Sequence, residues 1–333
     1  MNYRPLGSSG VRVSEISLGC CTLGGPNWVG GKPDGWAEID EDEVLAAVKL
    51  AVDRGVNHFD NADQYGNGRA ERVLARAFRR LGLDASRFVL ASKVGHFAGT
   101  AEHAYEPAHI RHQCEQSLIN LGREYLDVYY FHHADFGPGD RYLHGAVEVM
   151  DRLVQEGKVR LKGQSAYSAE AFERLVPIVR PQVLQGGANA LRDRFVRPGS
   201  RVNRLMEAHG LSFVAFGPLA QGRLLDKFGS GAEVKFESGD QRAASKAFTP
   251  EALAELKPKL EKLKARFGPT PEDLAAAALN YVLAQPRVAC VIPGFRNARQ
   301  VQGSLAACGR ALTPDDVEFI RETMSEIPEG AAV

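Results

Sequence analysis

VNHFDNADQYGNGRAERVLARAFRRLGLDASRFVLASK, residues 56–93, holds one complete strand, helix and strand. Val56–Asp60 is a short run carrying β-branched Val56 and aromatic Phe59, and Ala70, Val73, Leu74, Ala77 and Phe78 then recur at helical spacing. Phe88–Lys93 is a second strand, rich in apolar residues. A strand, a helix and a strand in about 40 residues make a parallel βα unit. Working outward, further strands are expected at Ile16–Gly19, Asp127–Phe131, Val159–Gln164, Val183–Gln185, Ser212–Phe216 and Val288–Ile292. The helices between them carry their own punctuation. Asp40 offers an N-cap to a helix that Gly55 closes, Pro107 opens one that ends at Gly122, and Thr270-Pro271-Glu272-Asp273 opens another. Eight such units predict an α/β fold, a (β/α)8 TIM barrel, and no Pro- or Ser-rich linker divides it. The expectation is a single domain over residues 1–333.

Composition narrows the function. Lys plus Arg and Asp plus Glu both total 41, so no long-range field recruits a polyanion, and nucleic acid is not expected as a partner. The N-terminal residues hold no apolar run long enough for a signal peptide, and no stretch approaches the ~20 apolar residues of a membrane span. A cytoplasmic protein with no membrane partner is expected. Cys20, Cys21, Cys114, Cys290 and Cys308 lack C-x-x-C spacing, which argues against a disulfide framework and against a metal cluster. The Cys20-Cys21 pair reads as two small buried residues rather than a redox device. Nothing in the sequence argues for a dimer or a larger ring.

In a parallel barrel, polar residues at strand C-terminal ends are the ones to examine. Asp60 and Tyr65 follow the second strand, Lys93 ends the third, and His132-His133 ends the fourth. An acid, a phenol, an amine and an imidazole at the ends of three consecutive strands suit proton donation to a carbonyl oxygen. A Tyr hydroxyl, with an ordinary pKa near 10, becomes a useful acid when a Lys cation stabilises its phenolate. Asp60 pairs with that Lys, and a His orients the carbonyl and stabilises charge on its oxygen. Taken singly, each has a plain structural alternative: helix cap, packing residue, surface charge, core histidine. Three irregular stretches, Gly24–Ile39, His96–Glu106 and Phe228–Phe248, are expected to share the face on which the strands end.

These residues resemble the aldo-keto reductases, in particular the bacterial branch that is also similar to β subunits of voltage-gated potassium channels. The resemblance runs nearly the whole length. It rests on Leu6–Ser14 with Leu18-Gly19, on Phe59–Gly68, in which Asp60 and Tyr65 stand five apart, on Ser92-Lys93, and on Tyr125–His132. It implies hydride transfer between NADPH/NADP+ and a small aldehyde, ketone or sugar carbonyl, with Asp60, Tyr65, Lys93 and His132 as the catalytic set and Tyr65 as general acid and base. It also implies cofactor contacts. Ser165 and Gln185 take the carboxamide, with Ala166 where the family has Asn, and Phe216 stacks on the nicotinamide. Gly217, Leu219, Gln221 and Gly222 cover the pyrophosphate. Gly294, Arg296 and Gln300 hold the adenosine 2′-phosphate and adenine, with Gly303-Ser304 where the family has Glu-Asn. Arg296 at a helix start implies preference for NADPH over NADH. Trp28, Trp36 and His133 are candidates to line the substrate pocket, with surface and core roles as the nearest alternatives.

Two other readings compete. A cofactor-binding regulatory protein, like the channel β subunits, retains the fold and much of the catalytic set but turns over little. A barrel glycosidase needs two carboxylates, which Asp60 and Asp63 can supply, but it leaves Lys93 and Tyr65 without a role.

Overall fold

A computed structural model describes residues 1–229 and 234–324. Residues 230–233 of the expected irregular stretch Phe228–Phe248, and residues 325–333 of the expected domain, lie outside the described residues. The chain begins with a hairpin, β1 (Tyr3–Pro5) and β2 (Arg12–Ser14), followed by β3 (Leu18–Gly19) and a second small hairpin, β4 (Trp28–Val29) and β5 (Lys32–Pro33). Then come β6 (His58–Asp60), β7 (Val89–Val94), β8 (Leu126–Phe131), β9 (Val159–Ser165), β10 (Val183–Gly187), β11 (Ser212–Phe216) and β12 (Val288–Ile292). Strands β3 and β6 to β12 pair in parallel, each with its neighbour in sequence. Closure comes from β3 against β12: Ile16 bridges Val291, Gly19 bridges Gly294, and Ser17 N donates to Val291 O at 2.9 Å. This is the expected (β/α)8 barrel. The first two barrel strands are shorter than the expected Ile16–Gly19 and Val56–Asp60, because their leading residues make single bridges or none.

Helices α1 (Glu41–Asp53), α2 (Arg69–Arg80), α3 (Pro107–Leu121), α4 (Leu143–Gln155), α5 (Ala169–Val179), α6 (Arg201–His209), α7 (Pro250–Phe267), α8 (Pro271–Leu283), α9 (Ala298–Leu305) and α10 (Pro314–Met324) accompany the strands. Their ends follow local chemistry. Asp40 caps α1 by accepting from Asp42 N and Glu43 N, and Thr270 with Asp273 forms a capping box on α8. The C-cap of α1 is Arg54, with Gly55 one residue later at φ 88, because a left-handed turn follows the cap rather than forming it.

Strand parity sets what faces inward. Val89 and Ala91, Val128 and Tyr130, and Cys290 and Ile292 belong to the barrel interior with Leu6 and Val13 of the first hairpin, which closes the far end. Phe59 points outward and packs edge-on against Phe78 and Phe88 at 5.2 and 5.9 Å between ring centres, pairs worth about 0.5–1.5 kcal/mol each beyond burial. Continuing these inward series reaches Lys93 near the end of β7 and His132 just past the end of β8. No helix among the described residues is long and apolar enough to cross a membrane.

Candidate active site

Lys93 is the centre of the site. It is the third inward residue of β7, fully buried, and its ammonium makes three contacts. It forms an ion pair with the Asp60 carboxylate at the end of β6, donates to Asn61 O at 2.7 Å and reaches the Tyr65 hydroxyl at 3.1 Å. An uncompensated buried ammonium would cost several kcal/mol, and the Asp60 carboxylate offsets that cost. Gln185, from β10, donates through Nε2 to the other Asp60 oxygen at 2.8 Å, so the carboxylate is fixed on both sides.

Tyr65 does not sit on a strand. It is carried by the turn between β6 and α2, and that turn is pinned against the first irregular stretch at Gly66, which has φ +58. A Cβ at Gly66 would lie 2.3 Å from Gly24 O, so only glycine allows the two backbones to approach. The Tyr65 ring faces His132 at 5.9 Å between ring centres. Burial, then the nearby Cys21 and Asp60, hold the Tyr65 phenol well above its ordinary value, so the hydroxyl keeps its proton. Lys93 thus acts against these influences on the phenol. Burial, then the neighbouring His96, Lys93 and His133, hold the His132 imidazole well below its ordinary value, so His132 is neutral near pH 7.

Asp60, Tyr65 and His132 line a cleft of about 860 Å³ across the barrel mouth. All three irregular stretches contribute to it, through Trp36, His96 and Arg242 among others. Of the residues the resemblance assigns to cofactor, Gln185, Phe216, Gly217, Leu219, Gln221, Gly222, Gly294, Arg296 and Gln300 line it, and of the substrate candidates Trp36 does. Ser165 is buried and does not line it. Neither does His133, whose Nε2 lies 2.7 Å from Gly95 O: it is one residue past His132, and the strand's alternation turns it to the other face. Trp28 stands outside the cleft on the β4–β5 hairpin, half exposed. The hairpin itself was not legible, since Gly30-Gly31 between two-residue strands gives almost no periodic signal.

One end of the cleft suits a phosphorylated ligand. Lys227, Arg296 and Arg299 line it, and among the described residues no carboxylate lies within 4.0 Å of their charged groups. Although Lys227 opens to solvent, the surrounding protein and then the Arg242 and Arg296 charges hold its ammonium below the ordinary lysine value. The backbone after β11 passes through the left-handed region at Gly217, Ala220, Gln221 and Gly222, with φ of 61, 48, 56 and 93. For Ala220 and Gln221 that costs about 1–2 kcal/mol each, strain of the kind that loops facing a ligand hold. Lys227, His96, Cys21, Asp34, Gln64 and Tyr167 also line the cleft and were missed by sequence reasoning; only Gln64, beside Tyr65, lay within a motif.

A sequence model described as the aldo/keto reductase family matches residues 15–324. The chain is 29% identical to a probable voltage-gated potassium channel subunit beta of Arabidopsis thaliana, with 99% of each covered. It is 25% identical to an L-galactose dehydrogenase of the same plant, over 98% of this chain and 93% of that one. Among solved structures, a holo-form aldo-keto reductase of Bacillus halodurans superposes with a TM-score of 0.75 at 25% identity, covering all of both chains.

Proposed function

Since this chain belongs to the aldo/keto reductase family and is an oxidoreductase acting at carbonyl and alcohol groups, we propose that it is an NADPH-dependent carbonyl reductase with Tyr65 as its acid and base. The contact that carries this reading is Lys93 Nζ shared between Asp60 and the Tyr65 hydroxyl at the cleft floor. When bound, the reduced nicotinamide supplies the hydride that becomes the C–H bond of the product alcohol. The protein's part is the proton. Neutral His132 donates to the carbonyl oxygen and aligns it with Tyr65. As negative charge grows on that oxygen, the Tyr65 hydroxyl transfers its proton to it, and the Lys93 ammonium stabilises the phenolate left behind. Asp60 and Gln185 keep Lys93 in place, and in alcohol oxidation Tyr65 takes the proton back.

Several observations support the finer parts of this reading. Lys227, Arg296 and Arg299, which have no carboxylate within 4.0 Å among the described residues, favour the 2′-phosphate of NADPH over NADH. Five free thiols among the described residues accord with the cytoplasm. Because β3 closes on β12, the first and last barrel strands belong to one unit, in keeping with one domain. The test is Tyr65→Phe. We expect kcat for reduction of a simple aldehyde to fall at least ~100-fold while the dissociation constant of NADPH stays nearly unchanged. Near-normal turnover by this variant would remove Tyr65 from the mechanism. The likeness to a probable channel β subunit keeps a regulatory reading in view; a single slow turnover with trapped cofactor in wild type would favour it over steady catalysis.

A further inference from the structure

A carboxylate stands in the cleft wall without an ion-pair partner among the described residues. Asp34 follows the β4–β5 hairpin and lines the cleft with Tyr65, and among the described residues no Lys or Arg nitrogen lies within 4.0 Å of it. Its Oδ2 accepts from Gln64 Nε2 at 2.7 Å, and Gln64 is the residue before Tyr65. The carboxylate is therefore tied to the turn that carries the proposed acid. Its backbone is held as firmly: Asp34 N donates to Asn27 O at 2.9 Å, Gly35 N to Gly239 O at 3.0 Å, Gln241 N to Gly35 O at 3.0 Å, and Trp36 N to Gly25 O at 2.9 Å. A surface acid free to swing into water has no such restraints.

The surroundings are polar and hydrogen-bonding. Trp36 Nε1 points at Cys21 Sγ, 3.1 Å away, and His96 Nε2 lies 3.4 Å from the Tyr167 hydroxyl. The His96 ring is 4.5 Å from that of His132, which places this pair beside the proposed reacting groups. Burial, the Cys21 thiol and then the Asp34 charge hold the Tyr167 phenol up, in keeping with Asp34 lying close by. Arg242 lies over the Trp36 ring at 5.0 Å, but its guanidinium is already committed to both oxygens of Asp240, at 3.0 and 2.6 Å. That cation does not offset Asp34.

We propose that Asp34, positioned by Gln64, is a specificity-determining residue that accepts a hydroxyl of a neutral polyhydroxylated carbonyl substrate and rejects the phosphorylated counterpart. A hydroxyl donates to a carboxylate at ordinary hydrogen-bond distance, whereas a phosphate or carboxylate group meets it as a like charge. The inference rests on the reading of Tyr65 as the reacting acid, because that is what makes this lobe the substrate's.

The experiment compares erythrose with erythrose 4-phosphate, using wild type and Asp34→Asn, which keeps the size and the acceptor for Gln64. Wild type should show kcat/KM at least about tenfold higher for erythrose, a difference of ~1.4 kcal/mol. Asp34→Asn should lower that ratio about tenfold, through KM more than kcat. An unchanged ratio overturns the inference, as does a wild-type preference for the phosphate ester, which Arg192 in the same cleft would produce if it received the phosphate. A third substrate, 4-nitrobenzaldehyde, separates the two readings: if wild type reduces no aldehyde at all, the assignment of Tyr65 fails. Binding then decides the case of Asp34. Trp28→Phe leaves Trp36 as the sole tryptophan, and its fluorescence in the NADP+-loaded protein reports both sugars without turnover. The same tenfold change in relative affinity on Asp34→Asn supports the inference, and no change refutes it.

Discussion

Tyr65 and His132 have ionisations pushed in opposite directions by the same burial. Tyr65 acts as an acid only while protonated; because its value is raised, that form persists at every pH below the ordinary phenol range and is lost only above it. His132 is lowered, so its neutral form persists above the ordinary imidazole range and is lost only well below it. Together these give a flat pH profile. We expect kcat/KM for reduction to stay constant from about pH 6.5 to about pH 10, the unperturbed values that bracket the window. A limb inside that window, measured with an aldehyde that does not itself ionise, would show that one of the two groups titrates differently in the working enzyme.

At the scale of elements, the turn between β6 and α2 must place the Tyr65 hydroxyl within reach of a lysine on the next strand. The Gly66–Gly24 contact performs that placement. Gly66→Ala combines a left-handed alanine with a clash against backbone, and should destabilise the protein by about 2–4 kcal/mol, read from the guanidinium midpoint. It should also lower kcat more than tenfold, because a displacement near 1 Å at a proton donor is that costly. Gly82→Ala is the control: φ there is +64, yet a Cβ meets nothing within 4 Å. It should cost only the backbone strain, about 1–2 kcal/mol, and leave kcat alone. Equal effects of the two substitutions would mean that the contact does not position Tyr65.

Over the whole molecule the charges sum to zero, with 41 of each sign, yet among the described residues no carboxylate lies within 4.0 Å of Lys227, Arg296 or Arg299 at one end of the cleft. A neutral protein thus presents a local positive field to a ligand. If it receives the 2′-phosphate, wild type should bind NADPH roughly 10- to 150-fold more tightly than NADH, as charge-assisted hydrogen bonds of about 1.5–3 kcal/mol imply. Arg296→Ala should cut that ratio about tenfold without abolishing it, because Lys227 and Arg299 remain, and added salt should narrow it further. Calorimetric titration of both cofactors at low and high salt checks this. A ratio of one in wild type removes the claim, and a ratio untouched by Arg296→Ala moves the phosphate elsewhere.

The barrel and its inward-facing polar residues were legible in the sequence because both depend on short-range rules. Ser212–Phe216 and Val288–Ile292 are strands over the expected residues, and the period of two that places Ala91 inside also places Lys93 at the mouth. The same rule turns His133 away from the cleft that His132 lines. Residues in loops obey no such period. Asp34, His96, Tyr167 and Lys227 reach the cleft through contacts between segments far apart in the chain, such as Gly35 with Gly239 and Asp34 with Gln64. Local sequence carries no signal for those. Periodicity along the chain thus specifies the barrel and the strand-end residues that face its mouth, whereas the loop side chains around them are placed by long-range backbone contacts that follow no repeating local geometry.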